Sequence, residues 1–156
     1  MHAKLCRICL IALVGLAGPV VRAQREKLPP DDVELVEKTW PDALRTGTGI
    51  RYVVLAEGKG EPPQPGDKIA LLYEGRLLRG EVFDKAMDRQ HPFVFRAGRE
   101  RVIPGMDQIV LLMRPGERRL VIIPPELGYG TRGVPQRIPR NATLVFQFEL
   151  LEIKHD

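Results

Sequence analysis

Residues 103–114 read Ile103-Pro104-Gly105-Met106-Asp107-Gln108-Ile109-Val110-Leu111-Leu112-Met113-Arg114. Met106, Ile109, Val110 and Met113 recur at helical spacing and make one apolar face. Pro104 suits a first helical turn, where the N–H that it lacks would have no intrahelical partner. Pro115-Gly116 closes the pattern, so the spacing predicts a helix over 104–114. The segments around it read as strands. Residues 67–73, 117–123 and 143–153 are period-2 or continuously apolar, and rich in β-branched or aromatic side chains. One short helix among antiparallel strands predicts an α+β fold whose helix lies across the sheet and fills its concave face. The start of that helix should then line any pocket the sheet forms.

Working outward, residues 51–57 read as an entry strand, with Gly58-Lys59-Gly60 as its turn. Ile69, Leu71 and Tyr73 alternate on one face, as do Phe93 and Phe95, and later Leu144, Phe146, Phe148 and Leu150. Residues 124–142 hold four prolines and three glycines and form a long loop. A loop of that length in a small domain usually has a function. Upstream, residues 24–47 form a polar extension or linker, a tether or docking arm and not a second domain. Asp31 or Asp32 caps a short helix there, which Trp40-Pro41 ends. The folded domain is expected over 48–156.

Residues 1–23 read as a signal peptide. Lys4 and Arg7 precede an apolar run from Ile8 to Val21, and Val21-Arg22-Ala23 has the small-x-small form of a cleavage site. The run is short for a membrane span. Lys4, Arg7 and Arg22 account for much of the formal charge of +4; without them 21 basic residues face 20 acidic ones. A near-neutral chain with no basic stripe is not expected to bind nucleic acid, and no membrane contact is expected after cleavage. The C-terminus is not KDEL-like, which favours a periplasmic or secreted protein over one retained in the endoplasmic reticulum.

Several chemistries are excluded. The chain has no serine, and its two cysteines, Cys6 and Cys9, both precede residue 24. Serine and cysteine nucleophiles are therefore missing from the mature chain. Only His91 and His155 remain there, which argues against a histidine-rich metal site. There is no Gly-x-Gly-x-x-Gly or Walker loop, so no nucleotide cofactor is expected. What stands out is the placing of the aromatics. All five phenylalanines lie between 83 and 148, Asp84 follows Phe83, and Tyr129 sits in Gly128-Tyr129-Gly130. An aromatic cavity with a few polar groups is a typical small-ligand site.

Tyr73-Glu74-Gly75, Val82-Phe83-Asp84, Pro92-Phe93-Val94-Phe95, Val102-Ile103-Pro104-Gly105, Gly128-Tyr129-Gly130 and Ile138-Pro139-x-x-Ala142-Thr143-Leu144-Val145-Phe146 stand in one order. In order and spacing they resemble the FKBP-type peptidyl-prolyl isomerases, across about residues 48–153. The resemblance implies an antiparallel half-barrel sheet wrapped around one short helix, and cofactor-free cis/trans isomerisation of Xaa-Pro bonds in polypeptide clients. It implies that Tyr73, Phe83, Asp84, Phe93, Val102, Ile103, Tyr129, Ile138 and Phe146 line the pocket, with Arg89 paired to the pocket aspartate. Asp84, Tyr129, Tyr73 and Phe83 would act on the twisting bond, and the Ile103 N–H and Tyr129 hydroxyl would anchor substrate carbonyls. Met106 stands where the family most often has tryptophan, as the floor under the proline ring, which implies weakened binding of macrolide inhibitors. Arg137 replaces an apolar loop residue. A binding or chaperone module of the same fold, with little turnover, is the alternative. The intact mass of exported protein should correspond to a chain starting near Gln24 without disulfides; a mass that includes residues 1–23 would instead mean a membrane-tethered form.

Overall fold

The computed structural model describes residues 25–155. The expected signal peptide and its two cysteines lie outside the described residues. Seven strands form one antiparallel sheet: β1 (Leu44–Arg45), β2 (Arg51–Ala56), β3 (Lys68–Leu77), β4 (Val82–Ala86), β5 (Phe93–Arg96), β6 (Arg118–Ile123) and β7 (Leu144–Lys154). Their order is β1-β2-β6-β7-β3-β4, and β5 also pairs with β3. β5 takes Lys68 to Leu71 of β3, while β4 takes Tyr73 to Arg76. The long pairing of β3 with β7 shifts register between Ala70 and Leu71. Such a bulge bends the strand and increases its twist, which suits a sheet that curves around a helix.

That helix is α2 (Pro104–Val110). It is shorter than the apolar spacing predicts. After Val110 the chain tightens, with the N–H groups of Leu112 and Met113 donating to the carbonyls of Ile109 and Val110. These three-residue bonds belong to a 3₁₀-type end. Met113 stays fully buried all the same, so the expected face of Met106, Ile109, Val110 and Met113 does enter the core. There it meets Ile69, Leu71 and Tyr73 of β3, Val121 and Ile123 of β6, and Phe146, Phe148 and Leu150 of β7. Gly105 lets the helix start approach β6: a Cβ there would fall 2.5 Å from Ile123 Cγ2.

The other face of the sheet is also covered. α1 (Pro30–Thr39) packs Val36, with Leu28 before it, against Leu120 and Ile122 of β6 and Val145 of β7. Trp40 joins this second cluster, so the extension is docked and its tryptophan lies against the sheet. The helix cap differs from the expected one. Pro29 is the N-cap, and no side chain caps the helix. Asp32 is buried and turned to the sheet instead, accepting a 2.6 Å bond from the Thr143 hydroxyl and an ion pair from Arg79. Arg79 also donates to the Asp31 carbonyl at 2.9 Å. A carboxylate with such partners serves α1 better as an anchor than as a cap, since a buried charge must be paired.

A second buried pair holds the end of α2 against β6. Glu117 accepts from the Arg114 N–H at 2.9 Å and from Arg119 Nε, while Arg119 Nη2 donates to the Leu112 carbonyl at 2.8 Å. The Arg119 guanidinium also stacks 4.6 Å from the centre of the Tyr52 ring. Glu117 is 2% exposed. Glu117→Ala is expected to destabilise the fold by about 3–5 kcal/mol, because it strands the Arg119 charge in the core. Urea unfolding of the variant checks this; a midpoint equal to wild type would mean that the pair holds nothing.

Candidate active site

At the start of α2 the sheet leaves a cavity of about 240 Å³. Tyr73, Phe83, Asp84, Phe93, Arg101, Val102, Ile103, Met106, Tyr129 and Phe146 line it. Five elements and two loops thus converge on residues scattered over half the chain. The alternation of β3, β4, β5 and β7 turns Tyr73, Phe83, Phe93 and Phe146 to the same side. Their rings meet edge to face: Tyr73 and Phe93 at 5.5 Å between centroids and 79°, Phe83 and Phe146 at 5.6 Å and 84°. Behind them Phe146 stacks on Phe148 at 5.1 Å. Edge-to-face pairs are favourable beyond the area they bury and hold each other in place.

The contact between Phe83 and Phe146 requires a gap in β3. A Cβ on Gly75 would lie 2.5 Å from Phe146 Cε1 and 2.8 Å from Phe83 Cζ. The glycine therefore shapes the cavity from behind its wall. Met106, 5% exposed, supplies part of the floor from the first turn of α2. Its thioether chain is flexible and polarisable, a soft surface in place of a flat ring.

The polar groups sit at the mouth. The Tyr73 hydroxyl donates to Asp84 Oδ2 at 2.7 Å, and the Lys85 N–H donates to Oδ1 at 3.0 Å. Burial raises the Tyr73 pKa well above its ordinary value, reinforced by the bond to Asp84 and by that charge. Tyr129 is raised too, first by burial and then by Asp84. Both phenols therefore stay protonated through neutral pH as hydrogen-bond donors. Among the described residues, neither the Tyr129 hydroxyl nor the Ile103 N–H has a protein acceptor. Two donors on the lining thus have no acceptor among the described residues.

Two of the expected placements, Arg89 and Ile138, are corrected. Arg89 does not reach Asp84; it pairs with Glu149 of β7 at 2.6 Å. Asp84 already has two donors, and Glu149 points away from the face that carries Phe146 and Phe148, where the exposed Arg89 side chain can meet it. Asp84 itself is exposed at the rim and not enclosed among the rings. Ile138 is buried in the core beside Val134 and lines a neighbouring groove, outside the cavity. The guanidinium near the aromatic wall belongs to Arg137, whose Nη2 donates to the Phe83 carbonyl at 2.5 Å. Its charge opposes the rise of both phenol pKa values.

Two contributors carry no signal in the sequence. Arg101 reads as one more solvated charge. Asp107, an acid in the first helical turn, reads as helix-dipole complement. In the structure Asp107 is buried and accepts from the N–H groups of Gly98 at 2.7 Å and Glu100 at 2.9 Å. Both those residues have positive φ, 66° and 53°. A non-glycine residue at such a φ needs support from its surroundings. Asp107 supplies it, and so sets the loop that presents Arg101, Val102 and Ile103.

Residues 59–151 match the family of FKBP-type peptidyl-prolyl cis-trans isomerases. The chain belongs to that family. FK506-binding protein 2B of Rhizopus delemar is 40% identical over 150 residues, 95% of this chain and 65% of that protein. FK506-binding protein 2 of Dictyostelium discoideum is 38% identical over 146 residues, 94% of this chain and 93% of that protein. The isomerase FkpA of Escherichia coli is 42% identical over 109 residues, 70% of this chain and 39% of its own length. The FkpA crystal structure superposes with a TM-score of 0.71 at 39% identity, over 80% of this chain and 58% of that one. The fold of this FKBP-type chain is therefore the expected antiparallel sheet around a short helix. Gly75→Ala should move both rings, destabilise the fold by about 1–3 kcal/mol and collapse or reshape the cavity. A crystal structure of the variant with Phe83 and Phe146 undisplaced would refute this account of the glycine.

Proposed function

We propose that the cavity accelerates Xaa-Pro isomerisation in exported polypeptides by holding the twisted amide without covalent chemistry. The observation that carries this reading is a cavity walled by aromatic rings, whose lining also holds two donors without a partner among the described residues, the Ile103 N–H and the Tyr129 hydroxyl. The planar amide resists rotation by roughly 18–20 kcal/mol, and unaided prolyl isomerisation takes tens to hundreds of seconds. At the barrier the amide has lost resonance, and its carbonyl is less polarised and less strongly hydrated than in the planar form. A water-poor pocket favours that form over the ground state. Phe83, Phe93 and Phe146 would pack the pyrrolidine ring above Met106. Ile103 and Tyr129 would hold the flanking carbonyls, so that rotation happens about one bond. Asp84, held by Tyr73, would orient the rim against the twisting carbonyl. A thousandfold acceleration needs only about 4 kcal/mol, within the reach of desolvation and a few fixed dipoles.

Proline-containing polypeptides are the substrates this geometry suits. Export rests on the pattern of residues 1–23 and on the lack of cysteine after them. Macrolide inhibitors would enter the same cavity and bind weakly, because Met106 offers no rigid aromatic face and lost stacking is worth about 0.5–1.5 kcal/mol. The same methionine favours a second reading, a binding or chaperone module that grips prolyl segments and turns them over slowly. A cis-prolyl peptide assay decides between them. Wild type should accelerate isomerisation clearly. Asp84→Leu should lose most of that rate and lower stability by about 1–3 kcal/mol, since it leaves the buried Tyr73 hydroxyl without its acceptor. Wild type that binds the peptides without accelerating them would support the module, and full activity in Asp84→Leu would remove the carboxylate from the mechanism.

A further inference from the structure

The loop after Tyr129 borders a second depression, of about 510 Å³, lined by Leu77, Glu81 and residues 132–140 except Gly133. Three arginines, Arg132, Arg137 and Arg140, lie along it. Arg137 joins the groove to the cavity, because it donates to the carbonyl of Phe83 while the Phe83 ring forms the cavity wall. Arg101 lines the cavity itself. Among the described residues, Arg101, Arg132 and Arg140 have no carboxylate or other hydrogen-bond partner for their side chains. The carboxylates on the same lining are Glu81 in the groove and Asp84 at the rim, the latter already bonded to Tyr73. Three guanidinium groups thus share the groove with one carboxylate, Glu81, and Arg101 shares the cavity lining with Asp84, in a chain whose charges almost balance beyond residue 23.

A polypeptide with its proline over Met106 must leave the cavity past this rim. A chain extends by about 3.3–3.6 Å per residue, so the next few residues on the Phe83 side run over Arg137 and into the groove. Arginine presents a planar fork of donors that matches a carboxylate. We infer that the groove of Arg132, Arg137 and Arg140 selects prolyl clients with acidic residues a few positions from the proline. This rests on the isomerase reading of the adjoining cavity and adds a substrate class to it.

The test uses three peptides with one Xaa-Pro core and two flanking Glu, Gln or Lys residues on either side. Relative kcat/KM is measured with the mature protein at low salt, and binding of the same labelled peptides is followed by fluorescence anisotropy. Exposed charge pairs are each worth up to about a fivefold effect, so the Glu peptide should exceed the Lys peptide by about tenfold. The preference should shrink at high salt, where such charges are screened. It should fall towards one in Arg132→Gln/Arg137→Gln/Arg140→Gln, and survive in Arg137→Lys, which keeps the charge. The Gln peptide reports the isomerase reading by itself within each variant. Equal kcat/KM and equal binding of the Glu and Lys peptides, with the Gln peptide turned over, would overturn the acidic selection and leave the isomerase standing. An undiminished preference in the triple variant would also overturn it, by placing the selection elsewhere. No turnover of any peptide would sink the isomerase reading, and anisotropy would still decide the charge preference.

Discussion

α2 reaches the concave face of the sheet only because its first turn can lie almost against β6. Gly105 meets Ile123 there at a distance no side chain would allow, and the burial of Met106, Ile109, Val110 and Met113 follows from it. Each fully buried side chain of this kind is worth about 1.5–3 kcal/mol, so the helix is held by its packing and not by its length. Seven residues are too few for a stable isolated helix. The site inherits that arrangement. A helix that must start so close to the sheet places residue 106 under the ring cluster, and it sets Ile103, just before the helix, on the same lining.

The same turn of helix also sets the mouth. Asp107 lies one residue beyond the floor and bonds to Gly98 and Glu100, fixing a loop with two residues of positive φ. Core and rim are therefore coupled through adjacent residues: Met106 faces the cavity and Asp107 holds the loop above it. On the far side of the sheet, Asp32 ties α1 to Thr143 at the entry to β7 and to Arg79 just after β3. β7 carries Val145 towards α1 and Phe146 towards the cavity. Packing of the N-terminal extension and placement of the aromatic wall thus share one strand.

Much of this was legible in alternation and spacing. β3, β5 and β7 declare their inner faces through Ile69-Leu71-Tyr73, Phe93-Phe95 and Leu144-Phe146-Phe148-Leu150. The run Leu120-Val121-Ile122-Ile123 is apolar without alternation because both its faces are covered, Val121 and Ile123 by α2 and the others by α1. Such a run shows that a strand is buried but not what lies on its second side. α2 ends earlier than its spacing predicts because Met113 keeps the helical spacing while the backbone has already changed to 3₁₀ bonds. Periodicity reads which face a side chain takes, and a tighter turn can deliver the same face. Polar partnerships were least legible. Arg89 with Glu149, Asp32 with Thr143 and Asp107 with Gly98 join residues 60, 111 and 9 positions apart. A long charged side chain has many reachable partners, and composition does not choose among them.

The position of Asp84 bears on how such a site would work. Were it enclosed among the rings, its charge could act strongly on the amide, since Coulomb energies grow as the effective dielectric falls. It is exposed, with both oxygens occupied by Tyr73 and by the Lys85 N–H. A charge so placed is screened by water and offers little direct force on a rotating carbonyl. Its stronger effect is on Tyr73, whose hydroxyl it fixes and whose ring meets Phe93 at 5.5 Å. The carboxylate then works mainly by holding one wall of the cavity in place. On that argument most of the barrier reduction falls to the aromatic walls and to the two open donors, and the rim charges are left to choose which chains enter.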